Sequence, residues 1–180
     1  MLNLKPSGLI DQRTLTFLKE NPALSQTLIA ELGDNINQVS TIIEPILEAP
    51  KRCEISLYYI QAVATGRAAF LTTNLPDFHE THVSEVATNW LVGRSNNCAI
   101  AVLDRSVSRC HAVIGHYPGK GFYIKDLGSS NGTFVNHSRL KPLEQRFLND
   151  GDLLQFSKFR VEFFISGWNV KTVSFQDTHG

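Results

Sequence analysis

Residues 101–114 read AVLDRSVSRCHAVI, and residues 124–136 read IKDLGSSNGTFVN. Each stretch joins short runs of β-forming residues to a polar turn, and Asn131-Gly132 is the strongest hairpin-turn signal in the chain. Similar short runs, separated by turn sequences such as PGKG and LNDGD, lie at 99–103, 110–117, 121–127, 133–136, 152–156 and 159–165. Many short strands between frequent turns predict an antiparallel β-sandwich over residues 87–167.

The first third of the chain has helical spacing instead. A helix over residues 22–32 is predicted by the proline at its first position, by Asn21 as the candidate N-cap and by Gly33 at its end. Its apolar residues recur every four positions, at Leu24, Leu28 and Leu32.

Two further apolar series follow this helix. Residues 36–47 have helical spacing, although Pro45 is expected to kink or end the helix. The apolar residues of 54–70 are too dense for a clean helical stripe, so a helix is expected there with a strand at its start as the alternative. Residues 72–86 show no period, which is typical of a linker.

These patterns define the fold class as α+β overall: a mainly α-helical region over 1–71, a linker over 72–86, an all-β antiparallel sandwich over 87–167, and a tail over 168–180 with a final strand as one interpretation. The apolar helix faces need a partner surface. Three roles stay open for the helical region: self-association, docking of a different protein, or folding of its acidic face over the sandwich.

The zero net charge of the chain hides an uneven distribution. Residues 1–87 carry 6 Lys and Arg against 10 Asp and Glu, whereas residues 88–167 carry 10 against 6. A basic second half favours an anionic ligand, but it lacks the Lys and Arg runs interleaved with aromatic residues that are typical of nucleic-acid binding.

The lengths of the apolar runs and the number of cysteines indicate the cellular compartment of the protein. No run approaches the roughly 20 apolar residues that span a bilayer, and the N-terminus lacks the pattern of a secretory signal. Three cysteines without a CxxC pair make a disulfide framework unexpected. We therefore expect a protein of the cytoplasm that does not interact with membranes.

Three motifs follow one another in the second half of the chain: Gly93-Arg94, Ser108-Arg109-Cys110-His111 and Ser130-Asn131-Gly132-Thr133. In this order and spacing they resemble the forkhead-associated (FHA) family, and the flanking sequence is similar to that family over most of residues 87–167. The resemblance implies an FHA-like β-sandwich that binds phosphothreonine peptides, with a small apolar recess for the threonine methyl group.

The resemblance assigns the phosphate to Arg94, Ser108 and Ser130, and the side-chain chemistry agrees. A planar guanidinium can donate two parallel hydrogen bonds to phosphate oxygens, and a serine hydroxyl is a short donor that does not crowd the ligand. Arg109 has two equally supported interpretations: a second positive contact to the phosphopeptide, or a solvated loop charge.

The remaining motif residues hold the peptide or the loops. By resemblance, the Asn131 amide clamps the peptide backbone with one donor and one acceptor. The expected structural supports are Gly93, His111, Gly132 and Thr133, with His111 as a buried core histidine and Gly132 at a position that needs a positive φ.

Other activities have little support in the sequence. Ser108, His111 and Asp126 could be written as a hydrolase triad, but no G-x-S-x-G elbow or oxyanion-hole sequence accompanies them. The GSSNGT segment lacks the Gly-Lys-Ser/Thr ending of a nucleotide-binding loop, and Cys110, His111 and His116 make only a weak metal-site candidate. We expect no catalysis, no metal and no cofactor.

The sequence thus predicts a phosphothreonine-peptide-binding module that acts as an adaptor or regulator in Ser/Thr-kinase-linked signalling. Its expected partner is a phosphothreonine-containing protein, either a Ser/Thr kinase or the substrate of one. Self-association through residues 1–71 is a further partner hypothesis. The alternative function is a phosphorylation-independent structural or oligomerisation module.

Overall fold

The chain folds into three layers: a set of helices, a seven-stranded sheet and a five-stranded sheet. The computed structural model describes residues 10–33, 35–77 and 79–167. The helices are α1 (Gln12–Glu20), α2 (Pro22–Leu32) and α3 (Ile36–Arg52). The strands are β1 (Tyr59–Ala64), β2 (Ala69–Thr73), β3 (His82–Val83), β4 (Asn89–Gly93), β5 (Ile100–Ala101), β6 (Ala112–Tyr117), β7 (Gly121–Asp126), β8 (Thr133–Val135), β9 (Ser138–Arg139), β10 (Gln145–Phe147), β11 (Leu153–Phe156) and β12 (Phe159–Gly167).

The two sheets pack face to face as a sandwich. The larger sheet has the order β3-β2-β1-β12-β11-β8-β9 and the smaller has the order β10-β7-β6-β4-β5. A single apolar cluster fills the space between them, with Val92, Ile114, Leu154 and Phe163 among its fully buried members. This confirms the α+β class and the β-sandwich, but the sandwich is mixed, because β1 pairs with β12 and β4 pairs with β5 in parallel.

The prediction of a helix over residues 54–70 is wrong, because this range contains β1 and the start of β2, and both strands join the larger sheet. Both strands lie between the helices and the β-core, and residues 59–63 are all fully buried. A strand that is buried on both faces loses the alternation of apolar and polar residues, so its sequence cannot be told from that of a buried helix.

The expected linker over residues 72–86 also contributes to the sheet. Its first two residues end β2, and β3 pairs with β2 through Thr72–Val83 and Thr73–His82. The sandwich therefore draws three strands from the part of the chain that its sequence pattern assigns to helices and linker. The tail over 168–180 lies outside the described residues.

The predicted helices over 22–32 and 36–47 are confirmed as α2 and α3, with two differences. Asn21 makes no side-chain cap, since its amide donates back to the Phe17 carbonyl (2.9 Å). Helix α3 does not end at Pro45 but continues to Arg52. A proline inside a helix costs about 3 kcal/mol, and burial of apolar side chains on both sides of Pro45 offsets that cost.

The helices cover the outer face of the larger sheet. Residues of all three helices bury a cluster with Val63 and Phe70 of the sheet; its helical members are Phe17, Leu24, Leu28, Val39, Ile42, Ile43 and Ile46. Within the described residues, none of the three helices has the length and apolarity needed to cross a membrane. The buried faces of α1 and α2 pack mainly on the other helices, whereas α3 also packs on β1 and β12 of the sandwich.

Two polar contacts attach the end of α3 to the sandwich. Arg52 donates to both carboxylate oxygens of Asp150 (3.2 and 2.9 Å) and lies 4.1 Å from the centre of the Phe164 ring. The buried Glu162 carboxylate accepts hydrogen bonds from the backbone amides of residues 54–56. These contacts set the position at which the chain enters β1.

We predict that Leu71→Ala destabilises the protein by about 2–4 kcal/mol, because Leu71 is fully buried in the sandwich core. Chemical denaturation of the full chain measures this loss. The matched control is Leu57→Ala, since Leu57 is 68% exposed and its loss should change stability by less than about 0.5 kcal/mol. Equal effects of the two changes would contradict a sandwich that includes β2.

Candidate functional site

Three loops meet at one end of the sandwich: residues 94–99 after β4, 102–111 after β5 and 127–132 after β7. The amides of Arg94 and Ser95 donate to the carbonyls of Ser108 (3.0 Å) and Arg109 (3.3 Å), which ties the first loop to the second. The amide of Ser130 donates to the Ser108 hydroxyl oxygen (3.1 Å), which ties the second loop to the third. The five residues predicted to bind phosphopeptide therefore lie on adjoining loops.

The Arg94 side chain is held by one hydrogen bond and is otherwise exposed to solvent. Its Nε donates to the carbonyl of Val107 (3.0 Å), while the side chain as a whole is exposed. Among the described residues Arg94 has no ion pair, and the carboxylate of Asp104 in the second loop is bonded to Ser106. Both terminal nitrogens of the guanidinium are thus available to two oxygens of one anion.

The Ser108 hydroxyl is oriented by the bond that it accepts. The Ser130 amide occupies one lone pair of the oxygen, so the hydroxyl hydrogen is free to donate outward. Ser130 itself is exposed beside it. The two serines and Arg94 can therefore present several donors to one ligand.

Asn131 is exposed but anchored. Its amide nitrogen donates one hydrogen to the carbonyl of Ser106 (2.8 Å). The second amide hydrogen and the amide oxygen are then available for a peptide backbone, which requires one donor and one acceptor. The anchor on Ser106 defines the direction in which this amide faces.

His111 is fully buried behind these loops, as expected for a supporting residue. Its Nδ1 accepts from the Ser108 amide (3.0 Å), so its Nε2 carries the proton and donates to the Gly132 carbonyl (2.9 Å). Burial lowers the pKa of His111 below its usual range, although the Gly132 carbonyl and Asp126 act in the opposite direction. The ring is therefore a neutral bridge between the second and third loops.

The glycines of the motifs allow close approach of backbone segments. A Cβ at Gly93 would overlap the carbonyl group of Arg109, so the end of β4 could not lie this close to the second loop with any larger residue. Gly132 has φ +91°, and a Cβ there would lie 2.8 Å from Nε of Arg139.

The Arg109 side chain, next to the Gly93 contact, is exposed and has no ion pair among the described residues.

Asp126 is a supporting residue that the sequence interpretation missed. Its buried carboxylate accepts from the amides of Gly128 and Ser129 and from the hydroxyls of Ser129 and Thr133. Burial would raise the pKa of Asp126, but these bonds together lower it below its usual range. The signal was present as an Asp two residues before a Gly-Ser pair, a pattern typical of an Asx-turn.

The arrangement differs from that of a hydrolase triad. The His111 ring bonds the backbone of Ser108 and Gly132 rather than the Ser108 hydroxyl, and the Asp126 carboxylate is occupied by the third loop. Within the described residues no group of three or more His, Cys, Asp or Glu side chains could hold a metal ion.

Comparison with known proteins identifies this part of the molecule. The family model described as the FHA domain matches residues 90–157, which span β4 to the end of β11 and contain all three loops. Residues 90–157 are therefore an FHA domain. The strands β1–β3 and the helices lie outside the matched range.

Curated relatives and solved structures are similar to this chain over part of its length. Glycogen accumulation regulator GarA of Mycolicibacterium smegmatis is 31% identical over 104 residues, which cover 58% of this chain and 63% of GarA. Human kanadaptin is 34% identical over 87 residues, covering 43% of this chain and 12% of kanadaptin. The solved FHA domain of a hypothetical protein of Arabidopsis thaliana is 30% identical, with a TM-score of 0.44 and coverage of 52% of this chain and 80% of that one. The chain thus spans less than two thirds of either curated relative.

We predict that His111→Asn destabilises the protein at pH 7.5 by about 1–3 kcal/mol, because the Ser108 amide and the Gly132 carbonyl lose a buried partner. Wild-type stability should fall as the pH drops below about 6.5, since the unfolded chain binds a proton that the folded His111 resists. Thermal unfolding of both proteins at pH 7.5 and 5.5 measures the two effects.

The measurement of stability at two pH values needs one control, because burial also lowers the pKa of His116. His116→Gln should reduce part of the pH dependence and leave the loops intact. A pH dependence that is unchanged in His111→Asn would show that other groups cause the acid sensitivity.

Proposed function

We propose that this protein binds a phosphothreonine in a partner protein, and that it acts as an adaptor or regulator in Ser/Thr-kinase-linked signalling. The observation that carries the proposal is the arrangement of Arg94 and Ser108. The guanidinium is bonded to Val107 only through Nε, and the hydroxyl oxygen accepts from Ser130, so unused donors of both residues are left at one exposed rim. A phosphate dianion accepts several charge-assisted hydrogen bonds from such a set.

The backbone of the bound peptide has a matching partner in Asn131. Its remaining amide hydrogen and its oxygen suit an extended chain beside the phosphate. The buried bonds of His111 and Asp126 hold the loops in place before the ligand arrives, which lowers the ordering cost of binding. Arg109 remains a candidate for a second positive contact.

The proposal includes a binding role rather than an enzymatic one. It is supported by the hydrogen bonds of His111 and Asp126, which hold the loops in place and do not activate the Ser108 hydroxyl. The regulatory role is also supported by the name of a relative, glycogen accumulation regulator GarA, which is 31% identical to this chain over 104 residues. We place the protein in the cytoplasm and propose a Ser/Thr kinase or a kinase substrate as its partner.

Self-association through residues 1–71 is a further proposal on partners. Most apolar helix residues pack against one another and against the larger sheet, but an open apolar pocket of about 360 Å³ remains among the three helices. Its lining includes Leu18, Leu28, Ile29 and Ile36. Ile29 is 55% exposed, so this pocket is the surface that a second copy could use.

We predict that Arg94→Ala weakens phosphothreonine-peptide binding by roughly thirtyfold or more, since the phosphate loses its charged partner. Arg94→Lys should also lose most of the affinity, because an ammonium group cannot replace the two-pronged donor. Isothermal titration with a phosphorylated peptide and its unphosphorylated form measures both changes in the full chain.

The control for this series is Lys120→Ala. Lys120 is an exposed cation in the turn between β6 and β7, at the other end of the sandwich. This variant should bind like wild type. Binding of the unphosphorylated peptide as tightly as the phosphorylated one would contradict the proposal and favour the structural module.

We predict a five- to tenfold preference for phosphothreonine over phosphoserine, since one buried methyl group contributes about 1 kcal/mol. Competition between two peptides that differ only in that methyl group measures the ratio. Equal affinities would show that the threonine methyl group finds no apolar recess in this protein.

A further inference from the structure

Arg139 lies beside the proposed peptide site, although none of the three sequence motifs includes it. It is in β9, opposite Phe134 of β8, and its guanidinium carbon lies 5.8 Å from the centre of the Phe134 ring. Its Nε lies so close to Gly132 that a Cβ on that glycine would be 2.8 Å away. Arg139 is therefore held directly next to the Asn131-Gly132 turn.

The loops around the site carry positive charge without matching negative charge. Arg94, Arg105, Arg109 and Arg139 are all exposed, and none forms an ion pair within the part of the chain that the structure describes. The carboxylates of Asp104 in the second loop and of Asp126, just before the third loop, are hydrogen-bonded to other groups. Asp104 accepts from the amide and hydroxyl of Ser106, and Asp126 is buried among four donors.

The position of Arg139 relative to Asn131 indicates which part of a bound peptide would meet its positive charge. The phosphate donor Ser108 is bonded to Ser130, the residue before Asn131. Arg139 lies against Gly132, the residue after Asn131. A peptide whose phosphate meets Arg94 and whose backbone meets Asn131 would continue towards Arg139.

We infer that Arg139 selects phosphothreonine peptides that carry a second anionic side chain, at a position separated from the phosphothreonine by the residue that Asn131 clamps. The inference rests on the proposed function and deepens it by naming the class of peptide. The second anion is a carboxylate or a second phosphate, since a guanidinium accepts either as a ligand.

The expected contribution is to specificity more than to affinity. Arg139 is exposed, and exposed ion pairs are worth little because water and salt screen them. A single favourable contact should therefore change the dissociation constant by about two- to fivefold. The contact with Phe134 reduces the freedom of the side chain and so reduces the ordering cost.

The test uses the full chain and a set of fluorescent phosphothreonine peptides with otherwise neutral sequences. Each peptide carries one glutamate within three residues of the phosphothreonine, on either side, and is paired with the same peptide carrying glutamine. A third arm places phosphoserine at the preferred position. The proteins are wild type, Arg139→Gln and Lys120→Gln, and the two variants remove the same charge from opposite ends of the sandwich.

We expect wild type to prefer glutamate over glutamine by about threefold at positions on one side of the phosphothreonine only. Arg139→Gln should abolish this preference, Lys120→Gln should retain it, and high salt should weaken it. A larger gain from phosphoserine than from glutamate would identify doubly phosphorylated partners as the ligands.

Three results would overturn the inference. One is an equal affinity for glutamate and glutamine peptides at every position, and another is a preference that survives in Arg139→Gln. In both of these cases wild type still binds phosphothreonine, so the proposed function stands. The third is no binding of any phosphorylated peptide by wild type, which would overturn the proposed function together with this inference.

Discussion

The buried ring of His111 connects the parts of the candidate site. One ring nitrogen accepts from the Ser108 amide and the other donates to the Gly132 carbonyl, so a single side chain sets the spacing between two loops. The ring is packed edge-on against Phe156 of the core at 5.6 Å, which leaves it little freedom. Neutrality matters here, because a protonated Nδ1 could not accept from Ser108.

Asp126 has the complementary role within the third loop. Four donors converge on its carboxylate and shape the turn that presents Ser130 and Asn131. Buried carboxylates are costly unless they are hydrogen-bonded, and here the bonds come from the loop that the carboxylate organises and from Thr133 at the start of β8. The exposed donors of the site are thus supported by two buried groups, His111 and Asp126.

The helices pack on a face of the sandwich away from this site, so they leave the site open. They pack on the larger sheet, and the Arg52–Asp150 ion pair lies beside the start of β11, whereas the end of β11 approaches His111. No hydrogen bond or ion pair among the described residues joins a helix to Arg94, Ser108 or Asn131. The idea that the acidic region folds over the basic loops has no support in this arrangement.

The sequence by itself determined the α+β class, the helices α2 and α3, the sandwich and the residues of the three motifs, because turn residues and short-range periodicity are local properties. Only the tertiary structure decided that β1 and β2 are strands, since both are buried between two layers and show no alternation. It also decided the hydrogen-bond partners of Asp126 and the position of Arg139 beside Gly132. Their neighbours are set by how loops and strands pack, and spacing along the chain does not record the distance between side chains on different strands.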